Sequence, residues 1–565
     1  MREIDRITTE RAGTPSLMLM EAAASATVRA VVERLEGNVL GKGILVLCGS
    51  GNNGGDGAVA GKALAMDGAI VKIVLFGKVE ETKGDARTNF EIVKRLASTG
   101  AIFKESQKPN VASLQMFSNS LGSLMFFECT SQEEWDDLLS NQLTQPHDAI
   151  IDALFGTGLN RAVEGIHKEV IRYLVRTRDM KDLYDSLSGP VISIDIPSGL
   201  NSDSGDLIGE AVPADITVTM TAPKPANVLP PAANYNGKLI VADIGSPAAL
   251  IEEANPDLFL VEEAEARRWL IQTRYQPDSF KNSHGHALIV AGSRGFTGAA
   301  ALCANAAMRA GAGLVTVATP ASVQSLVATQ VMPEVMTASL AETDRGTVSD
   351  QAIDYFLQLS ERAQVVAIGP GLSSDDERTR AFVKAVVAQR KTPVVIDADG
   401  LNCLSPWPEE LRGSQNFPIV LTPHPGEMLR LIGSSDKSAL KDRVGLARDF
   451  ATKHDVILLL KGGRSLIAAP DGRVFVNSTG NAGMGTAGSG DTLTGVIAGF
   501  LAQAFATLRA DAQALDAVIA ALYIGGLAGD LAAQGIGMRA MVASDIREHL
   551  SAAIRSLDPV GERPH

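Results

Sequence analysis

The sequence predicts a two-domain α/β protein, and three observations carry that expectation. Short apolar runs ending in glycine or aspartate alternate with helical stretches almost throughout. This is the pattern of a largely parallel sheet covered on both faces by helices. The rhythm breaks once, around residues 244–280, and then restarts. At roughly 100–200 residues per domain, a chain of 565 residues is also too long for one core.

The elements follow in order. GILVLCG (43–49) is an apolar strand ending in glycine, followed by a Gly/Asn turn and the helical stretch AVAGKALAMDG. IVKIVLF (70–76), HDAIIDALFG (147–156) and PVISIDIPSG (190–199) are further strands, the last two with aspartate near the strand end. Residues 77–147 are less regular; a strand and a helix are expected within NVASLQMFSNSLGSLMFFECTSQEEWDDLL. The first domain is placed at 1–247, a connecting segment at 248–280 and the second domain at 281–565. In the second domain HALIVAGS, GLVTVATP, AQVVAIGPG, TPVVIDADG, FPIVLTPHPGE and DVILLLKGG are successive strand–turn units. The alanine-rich stretches 299–312 and 511–534 read as packed helices.

Composition narrows the function. The net charge of −14 argues against nucleic-acid and anionic-membrane partners, both of which reward Lys/Arg patches. The four cysteines form no CxxC pair, so buried free thiols are expected rather than a zinc or dithiol centre. The N-terminus lacks an apolar signal-peptide region, and no run of 18 apolar residues is present, so a cytoplasmic location is expected.

Two constellations carry chemistry. GSGNNGGDG (49–57) lies where a strand hands over to a helix. Glycines there let backbone N–H groups approach an anion at the helix N-terminus, although the spacing is not the GxGxxG dinucleotide fingerprint. Asp152 in IDALFG and Asp195 in IDIPSG stand at two more strand ends, with Ser198 three residues beyond Asp195. In a parallel sheet these ends open on one edge. Asn53, Asp152 and Ser198 are therefore candidate oxygen ligands for a hard cation, and Asp195 is a candidate acid/base; helix capping is the plainer alternative.

The second constellation centres on GNAGMGTAGSGDTLTGVIAGF (480–500). A wide glycine turn leading into a helix makes an anion hole suited to phosphates. Asp491 at its mouth is placed as a general base toward a hydroxyl, unless it only caps the helix. Lys461 and the amides after it are candidate phosphate contacts. LTPHPGE (421–427) presents His424 and Glu427 at another strand end.

These residues bring a resemblance with them. PSLMLMEAA, GNNGGDG, DALFGTG, DIPSGLNSDSG, ADITVTMTAPKP and VADIG, over residues 1–246, closely resemble NAD(P)H-hydrate epimerases. The resemblance implies a Rossmann-like three-layer α/β domain. It implies substrate contacts at Asn52, Asn53, Gly54, Gly55, Asp56, Gly156, Thr157, Gly158, Leu159, Asn160, Arg161, Ala162 and Asp195, with Asp195 catalytic. It also implies potassium (K+) on Asn53, Asp152 and Ser198. The chain departs from the family in reading LMEAA where an Asn usually follows Glu, and KPA (224–226) where KPG is usual.

FKNSHGHALIVAGSRGFTGAA, IGPGL, VVIDADGLN, LTPHPGEM, LKGG, GNAGMGTAGSGDTLTG and ASDI, over roughly 260–555, resemble the NAD(P)H-hydrate dehydratases of the ribokinase-like class. The resemblance implies adenine-nucleotide contacts at Lys461, Gly462, Gly463, Arg464, Ser465, Asn481, Ala482, Gly483, Met484, Gly485, Thr486, Ala487, Gly488, Ser489 and Gly490. It implies that Ala299, Ala300, Gly371, His424 and Asp491 line the hydrate site, with Asp491 catalytic. Lys281-Asn282-Ser283 replaces the family's Lys-Gly-Asp, and Ala487-Gly488 stands where Gly-Gly is common.

The expected function is bifunctional repair of hydrated NADH or NADPH. The first domain would interconvert the R and S hydrates, and the second would dehydrate the S form at the expense of ADP with Mg2+. A homo-oligomer is expected, with no nucleic-acid or membrane partner. The rival reading is a ribokinase-like small-molecule kinase with a non-catalytic N-terminal domain.

Overall fold

The computed structural model describes residues 2–99, 122–183 and 189–558. The chain forms two compact units, Met1–Pro256 and Asp257–His565.

The first unit is built on seven strands: β1 (Gly43–Cys48), β2 (Ile70–Phe76), β3 (Ser123–Cys129), β4 (Ala149–Ala153), β5 (Val191–Ile194), β6 (Ile216–Met220) and β7 (Lys238–Ala242). All pair in parallel, in the order β3-β2-β1-β4-β5-β6-β7. Strand side chains alternate between faces. Accordingly Ile44, Val46 and Cys48 join one core cluster while Leu45 and Leu47 join another. Two buried faces explain why β1 reads as an unbroken apolar run. The order reverses between β1 and β4, so the crevice beyond their C-terminal ends is where such a sheet binds ligands. The strand and helix expected within 110–139 correspond to β3 and the helix Gln132–Asn141; residues 110–121 of that stretch lie outside the described residues.

The second unit carries ten strands: β8 (Leu258–Leu260), β9 (His286–Val290), β10 (Leu314–Pro320), β11 (Met336–Leu340), β12 (Val365–Ile368), β13 (Val394–Ile396), β14 (Ile419–Leu421), β15 (Ile457–Leu460), β16 (Leu466–Ala468) and β17 (Val474–Val476). Their order is β11-β10-β9-β12-β13-β14-β15-β16-β17-β8. Pairing is parallel from β11 through β15, but β16 runs antiparallel to both its neighbours. That hairpin was not foreseen, because its strands have three residues each and show no alternation.

The segment 248–280, expected as a connection, instead divides between the units. The helix Ala248–Glu253 ends the first. β8 pairs with β17 at the edge of the second sheet, and Trp269 stacks on Phe500 at 4.0 Å. A three-residue strand needs its partner to be recognised. The helix Ala514–Ile536 is long and apolar enough to cross a membrane, with a mean hydropathy of 1.5 in its best window. It contributes Ala517, Ala520, Ala521 and Ile524 to the core of this unit, which accounts for its apolar composition. Cys48, Cys129 and Cys303 are buried and Cys403 is half-buried, all as free thiols.

Candidate active sites

In the first unit a cleft of about 950 Å³ opens at the switch point between β1 and β4, at the upper end of small-molecule sites. Gly49, Asn52, Asn53 and Asp56 form one side; Gly156, Thr157, Gly158, Leu159, Asn160 and Arg161 form the other. Asp195 and Lys224 also line it, together with Asp5, Arg6 and Thr9 from the first helix, Arg2–Ala12. The helix Asn52–Met66 starts from Gly51, which supplies no side-chain cap. Its first-turn amides are therefore not satisfied by a capping side chain.

Gly54 and Gly55, expected as ligand contacts, stand behind the residues that line this cleft. A Cβ on Gly54 would lie 1.8 Å from the Gly49 carbonyl oxygen, and one on Gly55 would lie 2.8 Å from Met20 Cε. Gly54 lets the helix start close against the end of its own strand, and Gly55 lets the helices that carry Met20 and Ala86 pack close against it. Ala162 is exposed and also outside the cleft lining.

Asp152 and Ser198 are buried behind the cleft wall. Ser198 Oγ donates to Asp152 Oδ1 at 2.6 Å, while the Ser198 amide and Ser193 Oγ donate to Oδ2 at 2.9 and 2.8 Å. The Phe155 amide donates to Ser198 Oγ, and Asn53 Nδ2 donates to the Phe155 carbonyl at 3.0 Å. Burial raises the Asp152 carboxyl above its ordinary value, against the hydrogen bonds from Ser198, Ser193 and Leu154. No cationic side chain among the described residues pairs with it.

Asp195 follows β5 in a left-handed conformation with φ 66°. Its Oδ1 receives Lys224 Nζ at 2.5 Å. Asp56 is raised well above the usual carboxylate range by burial, reinforced by the charges of Asp195 and Asp5. Neither Lys224 nor Asp5 was singled out in the sequence. Lys224 stands in the KPA tripeptide, where a lysine framed by proline at a strand exit was the available signal; Asp5, on a polar helix, carried none.

In the second unit the ends of β13, β14 and β15 converge on the start of the helix Ser489–Thr507. Lys461, just after β15, donates to Asp397 Oδ1 at 2.8 Å, and Thr494 Oγ1 donates to Asp397 Oδ2 at 2.7 Å. Burial works against both charges, but their attraction wins. Asp397 is held below its ordinary value, and Lys461, also attracted by Glu427 and Asp491, is held above its own. Asp397 was overlooked because IDADG offers two strand-end carboxylates and only packing shows which one turns inward.

Gly488 starts the helix with φ 85° and no side-chain cap. The Ser489 amide donates to the Thr486 carbonyl at 3.4 Å, the Gly490 and Asp491 amides receive no side-chain cap, and Ser489 Oγ is buried without a partner among the described residues. A Cβ on Gly490 would lie 3.3 Å from Lys461 Nζ, so lysine and turn share one space. Asp491, in the first turn, is pushed up to about 6, first by burial and then by repulsion from Asp397.

The remaining expected contacts divide. His424 caps the helix Pro425–Leu431, its Nδ1 accepting from the Gly426 amide at 2.9 Å, while Glu427 answers the His424 amide at 2.8 Å. Ala299 is half-buried and meets a Cβ built on Gly371 at 3.0 Å, whereas Ala300 is fully buried under Gly292. The Ala300 side chain therefore belongs to the core. Asn481 Nδ2 is spent on the Gly529 carbonyl and Asp530 Oδ1, and its Oδ1 accepts from the Gly483 amide. That side chain anchors the loop to the helix Ala514–Ile536. Arg464 donates to the Ser478 carbonyl at 2.6 Å, and Arg443 donates to the Gly463 carbonyl at 3.1 Å.

Fold and sites define a two-domain α/β protein in which each domain gathers polar strand-end residues beside a glycine-led helix start. A family model described as NAD(P)H-hydrate dehydratase matches residues 287–552, and one described as YjeF-related protein N-terminus matches residues 16–226. The chain belongs to the family of bifunctional NAD(P)H-hydrate repair enzymes. It is 38% identical over 558 residues to the bifunctional NAD(P)H-hydrate repair enzyme Nnr of Moorella thermoacetica, covering 99% of this chain and 96% of that one. The enzyme of the same name from Thermofilum pendens is 34% identical, covering 98% of this chain and 95% of that one. A crystal structure of the ADP/ATP-dependent NAD(P)H-hydrate dehydratase of Bacillus subtilis, co-crystallised with ATP/Mg2+, is 29% identical with a TM-score of 0.45, covering 53% of this chain and 99% of that one.

Proposed function

We propose that the first domain interconverts the R and S hydrates of NADH and NADPH, and that the second dehydrates the S hydrate using ADP. The observation that carries this is Asp491 beside the uncapped, glycine-led start of the helix Ser489–Thr507, with Lys461 in the same space.

Hydroxide is a poor leaving group. In the second domain the hydrate's hydroxyl oxygen attacks the terminal phosphorus of ADP, AMP departs, and Asp491 takes the hydroxyl proton. The amides of Gly490 and Asp491 and the Lys461 ammonium stabilise the charge that develops on the transferring group. The C–O bond then breaks, phosphate leaves, a proton is lost from the neighbouring ring carbon, and the dihydropyridine is restored. Residues 462–465 and 485–490 line the nucleotide's path. Among the described residues no group of three His, Cys, Asp or Glu side chains forms a metal site, so Mg2+ would arrive on the nucleotide's phosphates.

In the first domain Asp195 acts as the base, and Asp56, whose carboxyl burial raises well above its ordinary value, is placed to act as the acid. The donor set fits a monovalent cation. Asn53, Asp152, Ser198 and the Phe155 carbonyl supply only oxygen on the protein side, and the buried Asp152 charge lacks a cationic partner. Potassium held there would neutralise Asp152 and fix the loop that carries Phe155 and Gly156.

The test is recovery of dihydropyridine absorbance from separated R and S hydrates. The S form is expected to need only ADP, and the R form to be repaired through epimerisation. A phosphorylated product without dehydration would establish a small-molecule kinase instead. Asp152→Asn is expected to abolish any difference between epimerisation rates in potassium and in tetramethylammonium chloride; a difference that survives places the cation elsewhere.

A further inference from the structure

The two carboxylate oxygens of Asp195 are treated differently. Oδ1 is 2.5 Å from Lys224 Nζ, 3.2 Å from Thr219 Oγ1 and 3.5 Å from the Met220 amide. Oδ2 accepts no hydrogen bond among the described residues. It lies 3.3 Å from where a Cβ on Gly156 would stand, in the wall of the cleft.

Lys224 is 5% exposed. Its ammonium has three N–H bonds, and they go to Asp195 Oδ1, to Thr219 Oγ1 at 2.9 Å and to the Met220 carbonyl at 2.9 Å. None is left for a ligand. The Lys224 amide donates to Asn227 Oδ1 at 2.8 Å, and Asn227 Nδ2 donates to Asn236 Oδ1 at 2.9 Å. Asn236 Nδ2 in turn donates to the Ala226 carbonyl at 3.0 Å. Asn227 and Asn236 are both buried.

A buried ion pair is a weak source of stability, because desolvation cancels most of the attraction. A fully satisfied polar network does fix geometry. This one grips a residue held in the left-handed backbone region, which side chains adopt uncommonly, and it grips one oxygen only.

We propose that Lys224, backed by Asn227, is a positioning residue for epimerisation: it holds Asp195 Oδ1 and leaves Oδ2 as the oxygen that meets the hydrate. The proposal rests on Asp195 being the acid/base group. It also gives the KPA segment a function separate from substrate contact.

The test uses the full chain and follows equilibration of separated R and S hydrates without ADP, for Asp195→Ala, Lys224→Met, Lys224→Arg and Asn227→Ala. Lys224→Met is expected to lower epimerisation kcat by about 100-fold with KM changed by less than about threefold, the signature of an interaction that matters in the transition state. Lys224→Arg, which keeps the charge, is expected to recover part of that loss. ADP-dependent dehydration of the S hydrate reports the second domain in each preparation. If Lys224→Met fails to fold, Asn227→Ala decides, with an expected kcat loss of about tenfold at unchanged KM. An inactive Asp195→Ala beside a fully active Lys224→Met, or a loss that appears in KM alone, overturns the positioning role and leaves the base intact. An active Asp195→Ala overturns the base itself.

Discussion

Asp491→Asn tests the dehydration site through two opposite effects on one protein. Burial and the Asp397 charge lift the Asp491 carboxyl from 3.8 to about 6. The fold therefore favours the protonated form, and the sign follows. Below the unfolded value both states hold the proton and nothing is lost. As pH rises through that interval the folded state becomes less stable, and the deficit is constant above about 6. The difference between the two values corresponds to ~3 kcal/mol at 1.36 kcal/mol per pH unit. Asp491 is half-buried, so solvent screening reduces this to ~1–2 kcal/mol. Asparagine keeps the shape without the charge. The variant is expected to be more stable than the parent by ~1–2 kcal/mol at neutral pH, with the advantage vanishing near pH 4 in denaturant titrations. ADP-dependent dehydration is expected to fall about 100- to 10,000-fold, the usual contribution of a positioned base. A variant that dehydrates normally, or is less stable than the parent at neutral pH, refutes the assignment.

Three further outcomes are expected. Dehydration kcat in the parent should decline as pH falls through about 6, where Asp491 takes up its proton, and pH–rate profiles will show whether that limb exists. Lys461→Met strands the buried Asp397 charge and should cost about 3–5 kcal/mol while raising the KM for ADP; adding Asp397→Asn should restore stability in calorimetry without restoring activity. Gly54→Ala forces a Cβ toward the Gly49 carbonyl and should destabilise the first domain by about 3 kcal/mol or more, with loss of epimerisation and retention of dehydration.

Much of both sites was legible because chemistry at a parallel sheet's edge concentrates at strand ends, and strand ends are marked locally by an apolar run stopped by glycine or aspartate. Asp152, Asp195, His424 and Lys461 stand at or next to strand ends, and Asp491 is marked instead by the glycine turn that starts its helix. What escaped depends on contacts distant in sequence. Asp5 reaches the first cleft from the opposite end of its domain, and Asp397 is told from Asp399 only by facing Lys461, 64 residues away. Motif reading does not reveal structural tasks either: Gly54, Gly55, Ala300 and Asn481 fall within continuous motifs, and packing gives each of them a structural task as well.

The sequence by itself determined the two α/β units, the strands that carry the chemistry and the glycine turns that start the key helices, because each is a local consequence of burial periodicity and backbone freedom. Only the tertiary structure decided that β8 and the helix Glu263–Gln272 belong to the second unit, that β16 reverses direction, and that one oxygen of Asp195 is held while the other accepts no hydrogen bond among the described residues. Strand pairing and side-chain direction come from partners that are near in space and far along the chain, and no local pattern records them.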